Sequence, residues 1–165
     1  MKFKFCPICG RKLGEMFCGD EGRIPYCEYD NELFFDTPKP CIMVAVIKDD
    51  EILLLKQSYI YKDSKVLVSG YIGIDEKAED TVYREVLEET SIEIQNVEFL
   101  GTDYIEGKEL LMLTYLASYK AGVLSKSKEV EEASWVKISD ALEHMKENLI
   151  GQRVIKKVLD RRKMY

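Results

Sequence analysis

Two apolar runs, CIMVAVI (41–47) and EILLLKQ (51–57), stand on either side of Lys48-Asp49-Asp50. Apolar at nearly every position, they predict two strands joined as a hairpin with at least one buried face. VLV (66–68) predicts a short strand ending at Ser69-Gly70. From Ala78 to Thr90 the period changes. Val82, Tyr83, Val86 and Leu87 fall within one arc, and Thr81, Glu85, Glu88 and Glu89 occupy the neighbouring one, which predicts a helix. VEFLGTDYI (97–105), a turn around Glu106-Gly107, LLMLTYLASY (110–119) and SWVKI (134–138) predict three further strands. Residues 139–165 predict helix, interrupted near Gly151. Strands and helices mix without a repeated βαβ period or internal repeat. The predicted class is therefore α+β, or a mixed α/β/α sandwich.

The first 36 residues follow another rule. They hold Cys6, Cys9, Cys18 and Cys27 with four glycines and few aliphatic side chains, so they cannot bury much of a core. DTPKP (36–40) carries two prolines and predicts an extended connector. The expected organisation is a small cysteine-bearing subdomain over 1–36 and a main domain over 37–165.

Composition narrows the function classes. A length of 165 residues suits one ordinary domain with an appendage. The net charge of −6 argues against tight, non-specific binding to nucleic acid. No apolar run is long enough to cross a bilayer, and MKFKFCPICG does not read as a secretory leader, so no membrane partner and a cytoplasmic location are expected. In a reducing compartment, clustered cysteines point to a metal site before a disulfide framework.

The helix carries the sharpest chemistry. Glu85 and Glu89 are four residues apart and Glu88 lies three after Glu85, so all three project from one side. Like charges at that spacing destabilise an isolated helix by about 0.2–0.5 kcal/mol a pair. A hard divalent cation, Mg²⁺ or Mn²⁺, reverses the sign, because it needs several oxygen ligands and neutralises them. Arg84 is placed to hold Glu88 by a charge-assisted pair. On the helix alone, a solvated acidic face stays the alternative.

The stretch GYIGIDEKAEDTVYREVLEETSI (70–92) adds Gly70 six residues before Glu76, and Glu76 eight before Arg84. It resembles the Nudix hydrolase box, G-x5-E-x7-R-E-U-x-E-E-x-G-U with U aliphatic, here Val86 and Ile92; Ser91 replaces the last glycine. The resemblance implies a Nudix-type α/β/α sandwich. It also implies hydrolysis of a diphosphate joined to another moiety, by water attacking phosphorus with Mg²⁺ or Mn²⁺. It further implies that Glu85 and Glu89 ligate the metal, Glu88 ligates or positions water, and Glu76 and Arg84 orient the carboxylates. Gly70 and Gly73 are expected to give a flexible loop whose backbone approaches the ligand. Ser91 is expected to hold a left-handed backbone at a cost of about 1 kcal/mol and to leave activity intact.

FCPICG (5–10) is a C-x2-C knuckle and YCEYDN (26–31) stands where a second belongs, with a hairpin expected at Gly19 to Gly22. This reads as a zinc ribbon with ligands Cys6, Cys9, Cys27 and Asp30, since zinc accepts a carboxylate. Cys18 is the rival fourth ligand, and a metal-free ribbon is the alternative. Cys41, at the start of a strand, reads as a small buried hydrophobe.

Ribbon and box together resemble the NADH pyrophosphatase family, which acts on NAD(H) and, in some members, on NAD-capped RNA, and whose members are homodimers. That family's S-Q-P-W-P-F-P-x-S motif is missing. GTDYIEGKELLM (101–112) occupies its place, which opens ADP-ribose, FAD and dinucleoside polyphosphates as substrates. By the same resemblance, Glu129 is a late metal ligand and Tyr71 an adenine-stacking aromatic, with core packing the alternative for Tyr71. Phe34 and Phe35 read as core, with a place near the site or a dimer interface as the alternative; Trp135 reads as core, and His144 is given no catalytic role. Six bases in 153–165 (Arg153, Lys156, Lys157, Arg161, Arg162 and Lys163) make a solvated helix or a phosphate-binding surface. The competing class is a non-catalytic module, sensing a nucleotide or binding nucleic acid or protein.

Overall fold

The computed structural model describes residues 3–162, and the chain divides between Pro38 and Lys39 into two compact units. Helix expected over 163–165 and the Lys163 base lie outside the described residues.

In the first unit, β1 (Gly14–Phe17) and β2 (Arg23–Cys27) form a hairpin around a 3-10 turn at Gly19–Glu21, and β3 (Glu32–Leu33) pairs with β2. Cys6 and Cys27 are the only buried residues among the described residues 3–38. Phe34 is half-buried against Phe3, with ring centroids 5.7 Å apart, whereas Phe35 is exposed, contrary to the core expectation.

The second unit is built on a seven-stranded mixed sheet. Its strands are β4 (Lys39–Lys48), β5 (Glu51–Lys56), β6 (Lys65–Val66), β7 (Val68–Tyr71), β8 (Ile92–Ile105), β9 (Leu110–Gly122) and β10 (Glu132–Lys137). The central path runs β10-β5-β4-β9-β8, with β6 beside β5 and β7 beside β4; β4 and β9 are parallel and the other pairs antiparallel. The apolar runs are continuous because both faces are covered. Cys41, Met43 and Ala45 enter one cluster with Met145, Val154, Ile155 and Val158. Ile42, Val44 and Val46 enter another with Val82 and Val86 of α1 (Ala78–Thr90). Leu53 and Leu55 join the second cluster and Ile52 and Leu54 the first, as a two-residue side-chain period requires. Each such side chain, fully buried, contributes about 1.5–3 kcal/mol.

Several boundaries differ from expectation. The third strand does not end at Ser69-Gly70: β7 continues to Tyr71, which pairs with Cys41. β8 starts at Ile92, and its register against β9 shifts three times, so bulges break the alternation that would have announced it. The C-terminal helix is interrupted at 145–148 rather than at Gly151, between α2 (Ala141–His144) and α3 (Leu149–Arg162). Gly151 sits within α3 because a Cβ there would meet the Met145 Cε at 2.2 Å. Asn148 accepts the Gly151 N–H and starts the helix. Arg153 pairs with Asp103 at 2.9 Å, Lys157 donates to the Leu100 carbonyl and Arg161 pairs with Glu98, so these three bases anchor α3 on β8. Trp135 is half-buried, edge-on to Tyr119.

Candidate functional site

Helix α1 starts after the turn that carries Glu76 and ends where Ser91 takes a left-handed backbone (φ 59°, ψ 19°), its N–H donating to the Leu87 carbonyl at 2.9 Å. This is the termination that the box glycine would supply more cheaply.

One guanidinium organises the N-terminal carboxylates. Arg84 donates to both Glu76 oxygens, at 2.7 and 2.9 Å, to Glu85 at 2.8 Å, to Glu88 at 3.0 Å and to the Tyr71 carbonyl at 3.2 Å. Glu76 also accepts the Gly73 N–H at 2.9 Å. The Arg84 guanidinium and that backbone donor hold the Glu76 carboxyl down at about 2. Burial pushes the Glu85 carboxyl up, with Arg84 opposing. The expectation of a flexible loop at Gly70 is corrected. Gly70 lies within β7 opposite Ile42, and a Cβ on it would fall 2.0 Å from the Glu85 Cδ, so the glycine is needed to admit that carboxylate.

Glu89 is treated differently. It is 7% exposed, its Oε1 accepts the Gln57 Nε2 at 2.9 Å, and its Oε2 has no partner among the described residues. Burial raises its carboxyl to about 7, and Glu85, Glu129 and Glu88 push the same way, with Gln57 opposing. Leaving a buried charged oxygen unpartnered costs about 1–3 kcal/mol or more. Such an atom marks the place of a missing partner, and the donor set around it, all carboxylate, suits a hard divalent cation. Glu129 is exposed and comes from the loop before β10. That loop is tied to the end of α1 by Ser125 and Ser127 N–H groups donating to the Thr90 and Glu89 carbonyls, each at 3.0 Å.

Glu85, Glu89 and Glu129 line a cavity of about 580 Å³ together with Cys41, Met43, Met112 and Lys108. Tyr71 lines it as well and is 58% exposed, which excludes the core-packing alternative. Cys41 is buried, its thiol pushed up to about 11 by burial. Glu88 pairs with Arg84, which lines the cavity, and its own side chain is 59% exposed. Sequence reasoning missed Gln57 and Tyr59. Tyr59 is on the cavity wall, and the loop carrying it is pinned by Ser58, whose N–H and hydroxyl donate to Glu131 at 3.0 and 2.8 Å. Gln57 had a legible signal: it extends the Leu53, Leu55 row, where a polar side chain at a buried position needs a partner.

In the first unit, Cys6, Cys9, Cys27 and Asp30 bring their ligand atoms within 4.8 Å of one another. The Cys9 and Cys27 sulfurs are 3.7 Å apart. That is close to the separation of about 3.8 Å that tetrahedral Zn–S bonds of about 2.3 Å require. The thiols of Cys6 and Cys27 donate to Asp30 Oδ2 at 3.0 and 3.1 Å, and backbone N–H groups of Ile8 and Asp30 face the Cys6 and Cys27 sulfurs. Without a cation, the Asp30 carboxylate as hydrogen-bond acceptor pushes the Cys9 thiol up to about 12, and the thiols in turn lower Asp30. Cys18 is outside the cluster, its sulfur near the Met16 carbonyl.

No helix among the described residues is long and apolar enough to cross a membrane. The NUDIX domain model matches residues 37–158. The chain is 32% identical over 138 residues to an NAD-capped RNA hydrolase, NudC, of Pseudomonas syringae, a match covering 83% of this chain and 49% of the relative. The chain thus spans about half the length of the curated relatives it matches. Among solved structures, a NUDIX hydrolase from Nitrosomonas europaea superposes with a TM-score of 0.76 at 17% identity, over 97% of this chain and 93% of that one. The NUDIX domain of Shewanella oneidensis NrtR, complexed with ADP ribose, gives 0.67 at 19% identity, over 82% and 93%. At these identities the structures show a shared fold. With Gly70, Arg84, Glu85 and Glu89 of the box lining one cavity and the family model covering most of the second unit, the chain belongs to the Nudix family.

Proposed function

We propose that this protein hydrolyses a nucleoside diphosphate joined to another moiety, using Mg²⁺ or Mn²⁺, with NAD(H)-type dinucleotides, free or as an RNA cap, as the leading substrates. The observation that carries this reading is the buried, unpartnered Oε2 of Glu89 on a cavity that Glu85 and Glu129 also line. Glu85, Glu89 and Glu129 hold the cation, and Glu88 adds a ligand or positions the water. A divalent cation there supplies neutralisation of the diphosphate and a lower pKa for attacking water. Arg84 and Glu76 keep Glu85 in place, as partners of ligating carboxylates do. Tyr71 offers its exposed ring to the base. The NAD part of the reading rests on the likeness to NudC, and ADP-ribose, FAD and dinucleoside polyphosphates form the next group of substrates. We assign the cysteine cluster to zinc in a structural role. Assembly as a homodimer and a cytoplasmic location belong to the same proposal. The test is product analysis on a panel of these nucleotides and NAD-capped RNA with Mg²⁺ or Mn²⁺. Release of a mononucleotide is expected, and no turnover on any member would overturn the enzymatic reading in favour of a nucleotide-binding module.

A further inference from the structure

We propose that Gln57 is a positioning residue for the divalent cation, fixing Glu89 so that its Oε2 alone is presented as a ligand atom; this rests on the reading of Glu89 as a ligand. The geometry separates Glu89 from its neighbours. Arg84 donates to Glu76, Glu85 and Glu88, and Glu89 receives an amide instead. A guanidinium orients a carboxylate but cancels much of its charge. A neutral amide orients it and leaves the full charge for a cation. Because an ionised carboxylate only accepts, the amide must turn its NH₂ edge to Oε1, as found at 2.9 Å.

Gln57 is itself held rigidly. It is 2% exposed, it directly follows β5, and its carbonyl accepts the N–H groups of Ile60 at 2.9 Å and Tyr61 at 3.2 Å. The residue thus ends the strand, starts the loop carrying Tyr59 onto the cavity wall, and reaches across to α1. Its burial and anchored backbone restrict how far the side chain can follow a displaced carboxylate, which favours one orientation of Glu89 before any cation arrives. Preorganisation of this kind appears in affinity, because the cost of ordering the ligand is already met on folding.

The experiment is titration of the zinc-loaded full chain with Mn²⁺, following the free-ion signal by electron paramagnetic resonance. The variants are Gln57→Met, Glu89→Gln and the double substitution. Gln57→Met keeps length and removes the donor; Gln57→Asn keeps the donor and withdraws it by one methylene, and serves if the methionine variant does not fold. Either should weaken the tightest Mn²⁺ site by about 10–100-fold. In the Glu89→Gln background the same change should have no further effect, because Gln57 acts through Glu89. Wild-type Mn²⁺ affinity in the Gln57 variants, with Glu89→Gln weakened, overturns the positioning role and leaves the ligand reading standing. Equal losses in both backgrounds also overturn it, by showing a general packing effect. Unchanged affinity in Glu89→Gln removes the ligand reading and this inference together.

Discussion

The two anionic clusters of this molecule are assembled in opposite ways. In the cysteine unit, Asp30 accepts from the thiols of Cys6 and Cys27 through one oxygen, and two of the four candidate ligands are buried. The groups hydrogen-bond one another. In the Nudix unit the carboxylates repel, Arg84 relieves part of the repulsion, and Glu89 is left with a bare oxygen on a cavity wall. Structural metal sites are closed by protein ligands, and catalytic ones keep a position open. On the proposed assignments, the two sites differ less in ligand type than in whether the last coordination position is already filled.

The largest effect should come from emptying the closed site. With Cys6 and Cys27 as the only buried residues described over 3–38, this unit lacks a core that could offset its chain entropy. Structural zinc supplies about 10–16 kcal/mol of apparent binding free energy in small zinc peptides. Chelation, or Cys27→Ala, should therefore abolish amide protection within 3–38, as read by hydrogen exchange, and Asp30→Ala should release zinc where Cys18→Ala does not. Protection that survives chelation would mean the unit holds its fold by packing, and the contrast between the clusters would fail.

Emptying the open site should leave the fold and remove the chemistry. Glu89→Gln is expected to lower turnover by more than about 100-fold, beyond what the loss of a supporting partner costs, with no loss of thermal stability. Gly70→Ala should approach the same deficit by a different route, since its Cβ would displace the Glu85 carboxylate. Normal turnover in Glu89→Gln would remove it from the cation site.

How far these sites could be read from the chain varies with how local their causes are. Helix α1 was legible to the residue, because its period and its carboxylate spacing lie within thirteen consecutive positions. The hairpin of β4 and β5 was legible for the same reason. Gly70 was given the wrong task, because its need for room arises from Glu85, fifteen residues away across a helix turn and a strand. Gln57 and Tyr59 were missed because their meaning depends on partners more than thirty positions distant, or on a cavity wall formed by several strands. Gly151 misled because a helix-interior glycine that admits Met145 looks, in one dimension, like a break.

A smaller effect tests the electrostatics of the open site. In the metal-free protein the folded Glu89 carboxyl is raised to about 7 from an ordinary value of 4.5. A raised carboxyl contributes stability that is fully present below the unfolded value and is lost as pH rises through the folded one. Metal-free wild type should therefore lose stability between about pH 4.5 and 7 relative to Glu89→Gln, and adding Mn²⁺ should restore it. Glu76, held at about 2, behaves oppositely: its contribution is complete above 4.5 and falls away as pH drops toward 2. Denaturant midpoints of wild type, Glu89→Gln and Glu76→Gln across pH 3 to 8 should show the two slopes with opposite signs; parallel curves would refute the assignment.

The smallest effect concerns Ser91. Its left-handed backbone, φ 59°, costs a serine about 1 kcal/mol, and glycine would adopt it freely. Glycine also gains freedom in the unfolded chain, which takes back about 0.4–1 kcal/mol. Ser91→Gly should thus raise the melting temperature by no more than about 2–4 °C, the shift that about 1 kcal/mol gives in a chain of this size. Turnover should not change, because the N–H to Leu87 bond that ends the helix is a backbone bond. A change in turnover would mean that the end of α1 helps set Glu89 and the loop of Glu129, which Ser125 and Ser127 tie to the helix beside it. The open site would then depend on helix termination as the cysteine cluster, on the proposed assignment, depends on zinc.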